Sequence, residues 1–184
     1  MTLPLLVVVS GPPGSGTTTL AHVLARAIPC PAICRDEIKE GLVHTEVEYT
    51  PAPGDALSYR TLDTFFGAVH FLVDAGVTLV AEASFQHAVW EPGLLPVLDS
   101  ARVRIVHCRV DAAAARERIA RRAEETAARR AVHGDYSLFE SFDSFKETFE
   151  SFDPIALSVP SLEVDTTDGY DPSAEQIVGF VNHA

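Results

Sequence analysis

The apolar run Leu5-Leu6-Val7-Val8-Val9 leads directly into Gly11-Pro12-Pro13-Gly14-Ser15-Gly16-Thr17-Thr18. A helical pattern follows, with Leu20, Val23, Leu24 and Ala27 at helical spacing over about 17–27. A strand that is apolar throughout is one covered on both faces, which places it centrally in a parallel sheet. Strand, glycine-rich turn and helix in that order form a cradle for phosphate. The glycines let successive amides converge on oxygen atoms, and the helix adds the positive end of its dipole. The spacing follows GxxxxGK[ST] except at one position: Thr17 stands where the pattern asks for lysine. Thr18 occupies the place whose hydroxyl ligates Mg²⁺. Gly11, Pro12, Pro13, Gly14, Ser15, Gly16, Thr17, Thr18 and the adjoining Thr19 are therefore the candidate nucleotide-binding residues. A glycine-rich strand-to-helix turn without a ligand is the structural alternative.

The rest of the chain alternates short apolar runs with helical patterns, the signature of a parallel α/β sheet. Further strands are expected at Pro31 to Cys34, Val77 to Ala81, Val103 to Cys108 and Leu162 to Val164. Helices are expected from Asp36 to Val43, Ala56 to Ala75, Val89 to Ser100, Ala112 to Arg130 and Ser173 to His183, with a loop over Thr45 to Asp55. Phe139, Phe142, Phe145, Phe149 and Phe152 recur every three or four residues, a helical stripe facing a core. At 184 residues the whole chain, 1–184, is expected to be one domain. Its fold class is α/β, three layers with about five parallel strands.

Composition narrows the function classes. Of the fourteen basic residues two are lysines, and the formal net charge of −12 sets a repulsive average field against a long polyanion. A nucleic-acid partner is disfavoured. No apolar run approaches the roughly 20 residues of a membrane span, and the amino terminus lacks a basic region followed by a long apolar stretch, so a cytoplasmic location is expected. Cys30, Cys34 and Cys108 have no paired CxxC spacing, which indicates neither a disulfide framework nor a zinc site.

Three further groups carry candidate chemistry. Asp36 follows the second strand, where a helix N-cap is the structural alternative to a catalytic carboxylate, and Arg35 beside it is placed to hold substrate or balance the acid. Glu82 follows the third strand, and ligands of parallel sheets gather at the carboxyl ends of strands. A carboxylate there can hold Mg²⁺ through water or contact substrate; a strand-end acid capping the next turn is the alternative. Arg118, Arg122 and Arg129, four and seven residues apart, lie within about 40° of one another on a helix. A solvated helix paired with Glu117 and Glu125 is the ordinary explanation for such a stripe.

The loop, the phrase Arg35-Asp36-Glu37-Ile38-Lys39-Glu40-Gly41-Leu42, the segment Val80-Ala81-Glu82-Ala83-Ser84-Phe85 and the arginine helix together resemble the P-loop kinases. The likeness is to small ATP-dependent kinases related to polynucleotide kinase, zeta toxin and chloramphenicol phosphotransferase, and it spans about Leu5 to Asp135. The loop also resembles that of a branch of cytidylate kinases in which threonine replaces the lysine. The resemblance implies that Asp36 is the general base, that 112–135 is a lid, that Arg122 and Arg129 supply charge to the transition state, and that Arg118 contacts substrate. It implies ATP and Mg²⁺ as cofactors. The expected function is transfer of the γ-phosphate to a hydroxyl of a small molecule, whether nucleotide, nucleoside or antibiotic-like compound. A non-catalytic nucleotide-binding module and a stand-alone NTPase are the alternatives.

Overall fold

The computed structural model describes residues 2–46, 49–50, 52, 55–125, 132 and 142–183. Five strands, β1 (Leu5–Ser10), β2 (Ala32–Cys34), β3 (Leu79–Glu82), β4 (Arg102–Arg109) and β5 (Ser161–Asp165), form one sheet in the order β2-β3-β1-β4-β5. All pairs are parallel. The described helices are α1 (Thr17–Ala27), α2 (Arg35–Val43), α3 (Ala56–Asp74), α4 (His87–Leu94), α5 (Ala112–Glu125), α6 (Phe142–Glu150) and α7 (Ala174–Asn182).

Every residue of β1 is buried because the strand serves two cores. Leu6 and Val8 face a cluster containing Phe65 and Val69 of α3 and Trp90 of α4. Leu5, Val7 and Val9 face the opposite cluster, with Leu20, Ala21 and Leu24 of α1 and Ile177 and Val181 of α7. The period of two also divides β4, Val103 and Ile105 going to the first core and Val106 and Cys108 to the second. The continuous apolar run is thus two alternating faces, each covered by helices.

Element boundaries shift in small, explicable ways. The buried stripe of α1 is Thr17, Leu20, Ala21, Leu24 and Ala25, so Val23 is only half-buried and Ala27 is exposed. Arg35 opens α2, and its N-cap is Cys34 rather than Asp36. The helix expected to reach Ser100 ends at Leu94 and gives way to a 3₁₀ turn at Leu95–Val97, where Pro96 cannot continue the α-helical bonding. Asp55 caps α3 by accepting from the Ser58 amide at 2.6 Å, and Ser173 with Gln176 forms a capping box on α7. On α6, Phe145 is buried and lies 5.6 Å from Phe149, while Phe139 lies outside the described residues. Among the described residues, no helix is long and apolar enough to cross a membrane.

The order of strands matters most at β1. The chain leaves it to one side for β2 and β3, then returns to build β4 and β5 on the other, so a crevice opens at its carboxyl end. The residues 11–16 begin there.

Candidate active site

The loop turns at two glycines with left-handed backbone, Gly14 (φ +84°) and Gly16 (φ +77°), a region that strongly favours glycine. At Gly14 a Cβ would also approach the Ala115 carbonyl to 2.7 Å. Carbonyls of the loop are tied down within the loop and by surrounding protein. Pro12 O accepts from the Ser15 amide at 3.1 Å, Ser15 O from the Thr166 hydroxyl at 2.8 Å, and Gly14 O from Arg118 Nη1 at 3.4 Å. The first helical bond of α1 is Leu20 N to Gly16 O, and no side chain caps the helix. The amides of Thr17, Thr18 and Thr19 therefore precede the helical bonding and lie at its positive end. The Ser15 hydroxyl is buried without a partner among the described residues. A buried hydroxyl left unsatisfied costs about 1–3 kcal/mol, which a ligand oxygen would offset.

Glu82 ends β3 beside the loop, paired in register with Val9 of β1 and Cys34 of β2. Its carboxylate is buried, 3% exposed, and accepts from the Thr17 hydroxyl at 2.5 Å. Burial pushes this acid up to about 7; bonds from Thr17, Thr18 and Cys34 pull the other way, and the negative charge of Asp36 adds to the rise. The residue in the lysine position is thus a donor to the strand-end acid. Hydroxyl and carboxylate oxygens of Thr18 and Glu82 are a hard donor set of the kind Mg²⁺ takes, so these residues fit that ion.

Asp36 stands in the first turn of α2, its Oδ1 held by Arg35 Nη1 at 2.8 Å, and it is near enough to Glu82 to act on its charge. Two acids therefore flank the loop on the β2–β3 side. Lys39, one turn on, is buried at 5% exposure, with Nζ 5.8 Å from the centre of the Tyr49 ring.

The arginine helix sits on the other flank. Arg118 donates to Thr166 Oγ1 at 3.2 Å and to the carbonyls of Thr166 and Thr167 at 2.5 and 3.0 Å, besides Gly14. This guanidinium clamps the loop to the segment after β5. The donors of Arg118, expected to contact substrate, go to these protein oxygens. Arg122 directs Nε at the Arg118 carbonyl at 3.4 Å. Both line a cavity of about 400 Å³ with Arg121, Gly16, Thr19, Thr166, Gly169 and Tyr170. Arg129, and the residues of the expected lid beyond 125 apart from Val132, lie outside the described residues.

Sequence reasoning did not single out Thr166, Tyr170 or the support under the loop, where the buried Trp90 indole donates to Ser10 Oγ at 3.1 Å. Thr166 is 151 residues from the loop carbonyl it bonds, a distance no local spacing reports. The carboxyl end of β5 was the available signal, since ligand-side contacts gather at strand ends.

The AAA domain family model matches residues 6–150. No curated protein matches the sequence. Among solved structures, a presumed kinase from Chloroflexus aurantiacus superposes with a TM-score of 0.84 at 21% identity, covering 98% of this chain and 97% of that one. The APS kinase of Mycobacterium tuberculosis, solved with AMPPNP and APS, gives 0.63 at 15% identity over 100% of both chains. A gluconokinase from Sinorhizobium meliloti gives 0.61 at 15% identity, covering 98% of this chain and 93% of that one. With the loop, the parallel order β2-β3-β1-β4-β5 and the matched span, this chain belongs to the AAA domain family and has the P-loop kinase fold.

Proposed function

We propose that the protein is an ATP-dependent phosphotransferase that moves the γ-phosphate of ATP to a hydroxyl of a small molecule. One observation carries the reading: a phosphate-binding loop whose carbonyls are bonded to protein has two acids, Glu82 and Asp36, converging on one flank. Phosphoryl transfer needs positioning, charge stabilisation and a proton acceptor, and each requirement has a residue. The amides of Thr17, Thr18 and Thr19 and the dipole of α1 bind phosphate oxygens. Thr18 and Glu82 would hold Mg²⁺, which when bound neutralises phosphate charge. Asp36 accepts the proton of the acceptor hydroxyl, with Arg35 fixing the carboxylate. Arg122 and Arg129 offset charge on the transferring group, and Arg118 holds the wall of the nucleotide cavity.

The APS kinase and the gluconokinase of this fold favour a small-molecule acceptor, with nucleotides, nucleosides and antibiotic-like alcohols as candidates. The acidic net charge disfavours a nucleic-acid acceptor. A cytoplasmic location suits an enzyme that uses ATP and carries three free thiols.

The Thr17–Glu82 bond supports one rival, a nucleotide-binding module without turnover, because the side chain in the lysine position is engaged by protein. Transfer of label from γ-labelled ATP to a panel of hydroxyl compounds, with ADP release and nucleotide affinity measured on the same preparation, separates the readings. A kinase releases ADP in step with labelled product. Binding with no turnover on any acceptor overturns the proposal, and ADP release indifferent to added acceptors marks a stand-alone NTPase. In Asp36→Asn, transfer falls by about two to four orders of magnitude with ATP affinity nearly unchanged. Near wild-type kcat in that variant rejects Asp36 as the base.

A further inference from the structure

Three side chains from three elements, none of them given a role in phosphoryl transfer above, meet beside Glu82, to which the Cys34 thiol is bonded. His22 comes from the second turn of α1, Cys34 from the end of β2, and Glu37 from the first turn of α2. His22 Nε2 lies 2.7 Å from Glu37 Oε1 and 3.8 Å from Cys34 Sγ, and one ligand atom of each residue falls within 4.8 Å of the other two. We propose that imidazole, thiol and carboxylate here form a binding site for Zn²⁺ or a similar borderline-soft divalent transition metal, distinct from the oxygen donors Thr18 and Glu82.

The donor set selects the metal. Mg²⁺ takes oxygen ligands, whereas thiolate and imidazole nitrogen suit zinc and its neighbours. Bonds of about 2.0–2.3 Å in a tetrahedron put ligand atoms roughly 3.3–3.6 Å apart. The observed 2.7 and 3.8 Å lie on either side of that spacing and the third pair falls within 4.8 Å, so side-chain movements of roughly 1 Å close the tetrahedron.

Burial is graded along the cluster. Cys34 is 1% exposed, while the His22 and Glu37 side chains are 38% and 46% exposed, so the sulfur closes the inner end and solvent gives access from the outer end. Three protein ligands leave the fourth position to water. Binding converts the Cys34 thiol to thiolate and releases its proton to solvent, while His22 binds through its neutral ring and Glu37 as carboxylate. The negative charges of Glu82 and Glu37 beside the sulfur favour a dication there.

Cys34 is also the N-cap residue of α2, so its position is set where β2 passes into that helix. An ion would fix α1, which carries Thr18, against α2, which carries Asp36. Separations of twelve and three residues hide the cluster from any CxxC search, and the topology alone brings it together.

Titrating the chelator-stripped full chain with Co²⁺ in excess Mg²⁺ tests the site. One equivalent should bind with a thiolate-to-cobalt charge-transfer band in the near ultraviolet and tetrahedral visible bands, and Zn²⁺ should displace it. Zn²⁺ should also raise the unfolding temperature of the wild type. Cys34→Ser should abolish the charge-transfer band, and His22→Ala or Glu37→Gln should weaken Zn²⁺ binding by at least about tenfold. Cys108→Ser and His44→Ala should keep the band. No charge-transfer band in the wild type, or a band that survives Cys34→Ser, overturns the proposal. If Cys34→Ser does not fold, the partly exposed His22 and Glu37 variants decide, and unchanged Zn²⁺ affinity in both rejects the site.

Discussion

At Thr17 a hydroxyl replaces the ammonium that the loop pattern prescribes, and the structure turns it toward Glu82. An ammonium on the phosphates would add a charge-assisted contact of about 1.5–3 kcal/mol. Thr17→Lys places that ammonium beside a buried carboxylate, where an ion pair with Glu82 competes with ATP. The variant should tighten ATP binding by no more than about tenfold by isothermal titration with Mg²⁺; a hundredfold gain with new turnover would favour the non-catalytic module. Glu82 also makes stability depend on pH. Its folded-state value of about 7 exceeds the ordinary 4.5, so between these values the folded chain binds more protons than the unfolded chain. Stability of the metal-free protein should therefore fall as pH rises from 5 to 8, by on the order of 3 kcal/mol at most. Urea unfolding across that range checks this, and Glu82→Gln should flatten the slope. The Thr17 position could be read from sequence as a departure, but its partner, 65 residues away, could not.

The element that contributes most beyond its own packing is α5. Its arginine face was legible as a stripe, because spacing alone sets which residues share a helical face. What the face meets was not legible: Arg118 satisfies carbonyls 104 and 48 residues away, a consequence of β5 pairing with β4 beside the loop. Arg118→Ala should cost about 1–3 kcal/mol in chemical unfolding, because it leaves carbonyls of the clamp without their donor, and should weaken ATP binding as the cavity wall loosens. Arg122→Ala and Arg129→Ala should instead lower kcat more than they weaken ATP binding, since transition-state charge is their assigned role. Equal tenfold losses in nucleotide binding with kcat unchanged would reject that role.

Across the whole molecule, the alternating strand and helix pattern made the parallel sheet legible, and β1 with its loop fixed the crevice at the sheet's centre. The boundaries missed were those set by proline at 96 and by the direct passage of β2 into α2 at Cys34. β1, which leads into the loop, serves both cores, so a nucleotide held there should stabilise the entire fold. ATP with Mg²⁺ at a hundred times Kd adds about 2.7 kcal/mol, which for a chain this size raises Tm by roughly 5–11 °C. Differential scanning calorimetry with and without nucleotide measures it, and no shift at saturation would exclude binding at the loop. The chain has one tryptophan, and its indole is bonded to Ser10, the last residue before the loop, within a cluster of Phe65, Phe66 and Phe85. Emission from Trp90 therefore comes from a single apolar environment at the foot of the phosphate site. Ultraviolet excitation of the unlabelled protein can follow nucleotide arrival in real time, with no dye to perturb the loop.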